Sequence, residues 1–234
     1  MSRCMLCLHD LPIFDSLPRE DFKDICLNAT KKTLKKGDYL FYQGQLADTL
    51  YLIKDGAVKL VQFTEQGKEL IIDVVGRGQV VGETALFKQQ QNLCDAVALE
   101  TVHVCSFSLA QFEALIEIRP QIALQIISNL GHKLYISMQR LGDATNHSVE
   151  SKVLALLFRL AQEHGHETLN GHIIELTLTQ EDIANMIGAS RVMVAQVLKQ
   201  FSQDGIIAKQ GKYYLILDKC LKTNFGEKES LDQA

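Results

Sequence analysis

The chain has 234 residues, 47% hydrophobic and 22% charged, with a formal net charge of −4. That apolar fraction excludes general disorder, and the longest apolar runs, such as Val153–Phe158, fall far short of the roughly 20 residues a bilayer span demands. With 24 basic against 28 acidic side chains, no positive coat surrounds the protein, so any nucleic acid is held by basic groups gathered on one small face. The amino terminus runs from Met1-Ser-Arg-Cys into His9 and Asp10 without an apolar h-region, so no secretory signal is expected. Together with six cysteines, this points to a reducing cytoplasm in which disulfides are regulatory or absent.

From Thr33 to Phe107 the chain reads as β-structure. Tyr51–Ile53, Ala57–Phe63, Glu69–Val75 and Val102–Phe107 are expected strands, broken by turn glycines, and Thr64–Lys68 is an expected hairpin tip. Many short strands at near-regular spacing predict a barrel or sandwich. Between Pro120 and Gly142 one long helix is expected. Its residues Ala123, Ile127, Leu130, Leu134, Ser137, Leu141 and Ala144 repeat at alternating spacings of four and three, a coiled-coil seam that suggests pairing with a second copy. A polar stretch, Gly142–Ser148, marks a domain boundary. Beyond it come an amphipathic helix over Val149–Glu163, a polar loop over Gly165–Gly171 and a strand over His172–Leu178.

Residues 179–204 carry the sharpest signal. Thr179 can cap a first helix, with Asp182 at capping-box distance. Ile183, Ala184 and Ile187 give it an apolar face, and Gly188 breaks it. Ser190 can cap a second helix whose buried face is Val194, Val197, Leu198 and Phe201. Arg191, Val192, Met193, Ala195 and Gln196 lie near its start, and Lys199 further along. Arg pairs with guanine, Gln with adenine, and an apolar group such as Val192 with the thymine methyl. Thr179, Gln180 and Ser190 stand near helix N-termini, where hydroxyls and free amides hold phosphate. Residues 205–217 then read as a two-stranded wing turning at Gln210-Gly211, with Lys209 and Lys212 on it. Helix, strand, capped helix, turn, capped helix and wing form a DNA-reading unit.

The chain resembles the Crp–Fnr family of bacterial transcription regulators over nearly its whole length. The resemblance rests on the β-strands, the cassette Gly82-Glu-Thr-Ala-Leu-Phe87, the long helix and Gly188-Ala-Ser-Arg191. It implies an α+β chain. An N-terminal β jelly-roll of the cyclic-nucleotide-binding type would span residues 1–119. A dimerisation helix and hinge would follow over 120–147, and a winged helix-turn-helix over 148–234. It also implies a homodimer on palindromic double-stranded DNA, one recognition helix per subunit in successive major grooves, with RNA polymerase as partner if the regulator activates. Members often carry Glu after the Ser-Arg pair and Arg five positions beyond that first Arg. Val192 and Gln196 stand there in this chain, so the usual family operator is not expected.

The resemblance also frames the signal. The family's nucleotide sensors bind ribose through the Glu of a Gly-Glu pair and the cyclic phosphate through an Arg-Ser pair. Gly82, Glu83 and Thr84 fit the first element, but Leu93 and Cys94 occupy the place of the second. A phosphate left uncompensated beside Asp95 is strongly disfavoured, so cyclic AMP is not expected as the effector. The Fnr branch instead holds an iron–sulfur cluster through N-terminal cysteines and one in the β-domain. Cys4 and Cys7 precede Leu11-Pro-Ile-Phe14 as those do, and Cys105 resembles the β-domain ligand. A cluster normally wants four thiolates. A reversible disulfide between Cys4 or Cys7 and Cys105 needs fewer. Haem on His103, or a small organic effector in the β-domain, remains an alternative, whereas His164-Gly-His166 reads as loop rather than metal pair. Cys26 and Cys220 read as core fillers. The chain contains no P-loop, H-E-x-x-H, G-x-S-x-G or Rossmann glycine series, which speaks against an enzyme. A nucleotide-binding module without DNA would leave residues 179–217 unexplained.

Overall fold

A computed structural model describes residues 29–86, 89–143 and 148–217, with 139–143 described by backbone alone. Contacts divide the chain into two units, residues 1–145 and 146–234. Cys4, Cys7, Cys26 and Cys220 lie outside the described residues, as does the side chain of Leu141.

The first unit begins with strands β1 (Thr30–Leu34), β2 (Tyr39–Phe41), β3 (Thr49–Asp55), β4 (Val58–Phe63), β5 (Glu69–Val75) and β6 (Val80–Val81). A 3-10 turn (Glu83–Leu86), β7 (Asp95–Ala98), β8 (Val102–Ser108), helix α1 (Leu109–Ile118) and helix α2 (Pro120–Asp143) follow. Two four-stranded antiparallel sheets form, in the orders β1-β8-β3-β6 and β2-β7-β4-β5. Alternation along the strands decides what each face meets. Leu34, Ile53, Val81, Val102 and Val104 of the first sheet pack with Phe41, Val58, Val75, Ala96 and Ala98 of the second. The other face of the first sheet offers Leu50, Leu52, Cys105 and Phe107, which pack with Phe112 of α1 and Ile122 and Ile126 of α2. The result is a jelly-roll backed by helices.

The expected strands are present, and Thr64–Lys68 closes the β4–β5 hairpin, Thr64 N–H donating to the Lys68 carbonyl at 2.9 Å. Strands β1, β2, β6 and β7 and helix α1 were not anticipated. β1 exposes all but Leu34, so it carries no apolar alternation. The polar loop expected over Gly165–Gly171 is a correction, since Gly165–Thr168 is a strand; it is an edge strand with no buried residue, so its composition reads as loop.

Helix α2 shows two faces. Ile122 and Ile126 are buried and Leu130 packs beside them. Leu124, Ile127, Leu134, Tyr135 and Met138 are exposed. The expected seam therefore keeps Ile127 and Leu134 on the open face, but Leu130 turns towards its own jelly-roll. Leu124 and Met138 lie on the same open face as Ile127 and Leu134, and Ser137 is exposed as well.

The second unit comprises α3 (Val149–His164), β9 (Gly165–Thr168), β10 (Gly171–Ile174), α4 (Gln180–Ile187), α5 (Arg191–Gln203), β11 (Ile207–Gln210) and β12 (Tyr213–Leu217). Its sheet order is β11-β12-β10-β9. Val153, Leu157 and Leu160 of α3, Ile183 and Ala184 of α4, Val194 and Leu198 of α5 and Ile216 of β12 are all buried. The strand expected over His172–Leu178 ends at Ile174, although Leu176 and Leu178 remain buried. Among the described residues no helix is long and apolar enough to cross a membrane.

Candidate nucleic-acid interface and sensor site

The α4–turn–α5 segment is built by its caps. Thr179 closes a capping box, its hydroxyl oxygen accepting from the Asp182 N–H at 3.1 Å while its own N–H donates to the Asp182 carboxylate at 3.0 Å. Such a cap stabilises a helix by about 1 kcal/mol. Gly188 ends α4 in the left-handed region, at φ 69°. Its amide donates to the Ala184 carbonyl. Ser190 then caps α5, accepting from the Met193 N–H at 3.3 Å.

Helix α5 presents its first turn to solvent. Arg191, Val192, Met193, Gln196 and Lys199 are exposed, while Val194, Val197, Leu198 and Phe201 are buried beneath. Val192 is 67% and Met193 46% exposed, two apolar side chains left in water on a rigid helix. That first turn carries no acidic residue, so the positive end of the helix dipole and the Arg191 guanidinium act together on an incoming anion. Thr179 and Ser190 are exposed at the two caps and Gln180 is half-buried. The wing turns at Gly211-Lys212, one residue later than expected. Its cations rest on aromatic rings, Lys209 Nζ lying 4.8 Å from the Tyr214 centroid and Lys212 Nζ 5.0 Å from that of Tyr213. The wing thus holds ordered positive charge at its tip.

The expected effector residues gather around β6 and β7. Gly82 adopts φ 87°, and a Cβ there would meet the Thr49 carbonyl oxygen at 2.6 Å. The packing of β3 alone accounts for this glycine. Glu83 opens the 3-10 turn and forms an ion pair with Lys133 of α2, whose Nζ also donates to the Val80 carbonyl at 2.9 Å. Thr84 is half-buried beside it, Leu93 is exposed, and Cys94 is half-buried. Burial first, then the charges of Asp95, Glu83 and Asp73, push the Cys94 thiol up to about 11. Cys94 thus sits in a half-buried setting with three carboxylates about it. Sequence reasoning missed Lys133. The signal was available in the spacing of Ile122, Ile126, Leu130 and Lys133, which marks the inward face of α2 and ends on a cation.

Cys105 lies in the central strand β8, opposite Leu52, fully buried among Leu50, Phe107 and Phe112. Cys94 instead packs against the inter-sheet core. The described thiols thus sit on opposite sides of one sheet and do not assemble a cluster site. Among the described residues no three His, Cys, Asp or Glu side chains are grouped to hold a metal ion. His103, the haem alternative, is exposed on β8 with its Nδ1 3.0 Å from the Thr33 hydroxyl. His166 lies on β9, with Nδ1 3.4 Å from the Glu175 carboxylate.

Comparison with known proteins agrees with this architecture. The cyclic nucleotide-binding domain family matches residues 31–119, and the Crp-like helix-turn-helix domain family matches residues 151–220. The CRP-like cAMP-activated global transcriptional regulator of Mycobacterium tuberculosis is 31% identical over 185 residues, 78% of this chain and 82% of the relative. The chain belongs to the Crp–Fnr family of transcription regulators. Electron transport regulator A of Shewanella oneidensis is another relative of this Crp–Fnr chain, 28% identical over 80% of it and 75% of the relative. The fold matches the solved c-di-GMP responsive global regulator of Xanthomonas campestris at TM-score 0.69 and 20% identity, covering 86% of this chain and 99% of that one. Those names carry different signals, so membership of the Crp–Fnr family assigns a DNA-binding helix-turn-helix domain but no effector.

Proposed function

We propose that two copies pair along α2 and bind palindromic double-stranded DNA, and that a redox change in the first unit sets this affinity. The observation that carries the DNA-reading part is the exposed, acid-free first turn of α5, where Arg191, Val192 and Met193 face solvent above a fully packed apolar floor. Arg191 pairs with guanine, Gln196 with adenine, and Val192 meets a thymine methyl. Thr179, Gln180 and Ser190 engage phosphates near the helix N-termini, and Lys199 and Lys212 neutralise the flanking backbone. Each copy then occupies one of two successive major grooves, about 34 Å apart. RNA polymerase is the further partner if the bound dimer activates.

The redox part rests on the acidic surroundings of Cys94, which oppose a nucleotide phosphate, and on the terminal Cys4 and Cys7. An iron–sulfur cluster would take Cys4, Cys7 and Cys105 with Cys26 as a fourth thiolate, since Cys94 lies on the other side of the sheet from Cys105. The thiol version is a disulfide between Cys4 or Cys7 and Cys105, two electrons passing to a peroxide or disulfide oxidant. Cys105 is sealed in the core, so only a thiol that packs directly over it can exchange. A second reading, a small apolar effector, gains no support from the apolar cavity between Tyr51, Phe107, Phe112, Ile122 and Ile126, whose volume of about 20 Å³ is that of a water-sized void.

Gel-shift titration of oxidised and reduced protein against duplexes selected from a random pool tests both parts. Salt-sensitive, saturable binding is expected, with different affinities in the two states. No binding defeats the DNA reading, and equal affinities defeat the thiol version.

A further inference from the structure

We propose that Gly131 is the point of closest approach between the two copies of α2, and that it fixes the spacing of the paired DNA readers. This rests on the homodimer reading above. Leu124, Ile127, Leu134 and Met138 are 66%, 62%, 58% and 61% exposed. Their spacing leaves one heptad position open between Ile127 and Leu134, and Gly131 fills it. The stripe 124-127-131-134-138 alternates three and four throughout, the pattern of a two-helix seam.

Nothing within the subunit asks for glycine there. A Cβ at 131 would find no atom within 4 Å, and no unusual backbone angle is recorded at this position. Glycine is the poorest helix former after proline, so the residue weakens the centre of a 24-residue helix without any gain inside the chain. The gain lies across the seam. The distance between packed helix axes varies with the side chains at the contact, and a glycine at the middle level draws the axes together. One turn either side Ile127 and Leu134, and two turns either side Leu124 and Met138, supply the bulk. The inward residues Ile122, Ile126 and Leu130 anchor the same helix to the jelly-roll. A change of axis distance at Gly131 therefore moves the jelly-roll packed on the same helix.

The test uses full-length Gly131→Ala and Gly131→Leu proteins. Each is measured by circular dichroism, by sedimentation, and by binding to a palindromic duplex selected by the wild type. The same duplex with one base pair inserted or removed between its half-sites serves as spacing probe. Both variants are expected to fold, since residue 131 faces open space in the subunit. The leucine variant should bind the selected duplex at least tenfold more weakly than wild type, and its ratio of affinities among the three spacings should change; alanine should fall between. A leucine variant that becomes monomeric while alanine stays dimeric also supports the close approach. Wild-type affinity and an unchanged spacing ratio in both variants would overturn the proposal. Should leucine disrupt the helix, the alanine spacing ratio decides. A wild type that is monomeric and ignores DNA defeats the function reading and this one with it. A dimeric, DNA-binding wild type with indifferent variants defeats this one alone.

Discussion

The helix-turn-helix and the jelly-roll each contain a glycine with positive φ at a turn, Gly188 and Gly82, and the two glycines mean different things. At Gly188 an added Cβ would meet nothing, whereas at Gly82 it would strike the Thr49 carbonyl at 2.6 Å. The first is required only by the turn; the second is required by the packing of the roll. A motif residue held by packing survives whether or not a ligand is bound, so Gly82 says little about the effector. Val192 and Met193 make the opposite case. Val192 and Met193 are left in water by the packing of their own helix, and the proposed DNA contact gives that exposure a use.

The largest expected effect comes from breaking the pairing proposed for α2. Changing Ile127 and Leu134 together to Asp places two charges on the exposed seam. Each subunit should fold as before, because both positions are solvent-exposed. Operator affinity should fall by roughly 10²–10⁴, the factor that linked half-site binding supplies. Sedimentation and gel shift read the two consequences separately, and a monomer that still binds at full strength would end the paired reading.

The glycine contrast can be measured directly. Gly188→Ala should lose about 1–2 kcal/mol of stability from left-handed strain alone. Gly82→Ala adds overpacking of about 1–3 kcal/mol to the same strain. Denaturant titration should therefore rank Gly82→Ala as the more damaging change. Equal losses would mean that β3 yields without cost, and the packing account of Gly82 would fail.

Arg191→Ala comes next. The side chain is exposed, so stability should hold while discrimination between matched and mismatched duplexes drops by about 1–3 kcal/mol. A uniform loss across all sequences, with a shallower salt slope, would reassign Arg191 to phosphate.

The reader was legible in the sequence because its signals are local. Caps, a breaking glycine and a helical period lie within 26 consecutive residues, and each has one structural meaning. The helix α2 was legible from its period, but which of its apolar residues pack on the jelly-roll was not. Leu130 and Gly131 are neighbours, and contact with the jelly-roll turns Leu130 inward and leaves Gly131 exposed. The Lys133–Glu83 ion pair joins residues 50 positions apart, and no linear pattern announces such a partner. Likewise, Cys94 and Cys105 read alike as cysteines, yet they sit in different cores.

Cys94 supplies the smallest and most local test of that distinction. Burial is the first cause of its raised pKa, followed by repulsion from Asp95, Glu83 and Asp73. The folded thiol keeps its proton above the ordinary value of 9, up to about 11. This site therefore contributes stability that is whole below about pH 9 and lost as the pH rises towards 11. The thiolate is the reactive form, so alkylation of Cys94 by iodoacetamide, followed by peptide-resolved mass spectrometry, should be slow at pH 7.5. It should climb about tenfold per pH unit until the thiol titrates. Asp95→Asn removes the largest charge contribution but leaves burial in place, so the titration should move down only part of the way. A Cys94 that alkylates at neutral pH as fast as a free thiol would show that the acidic, half-buried setting is not maintained in solution. The main electrostatic objection to a bound nucleotide phosphate would then disappear.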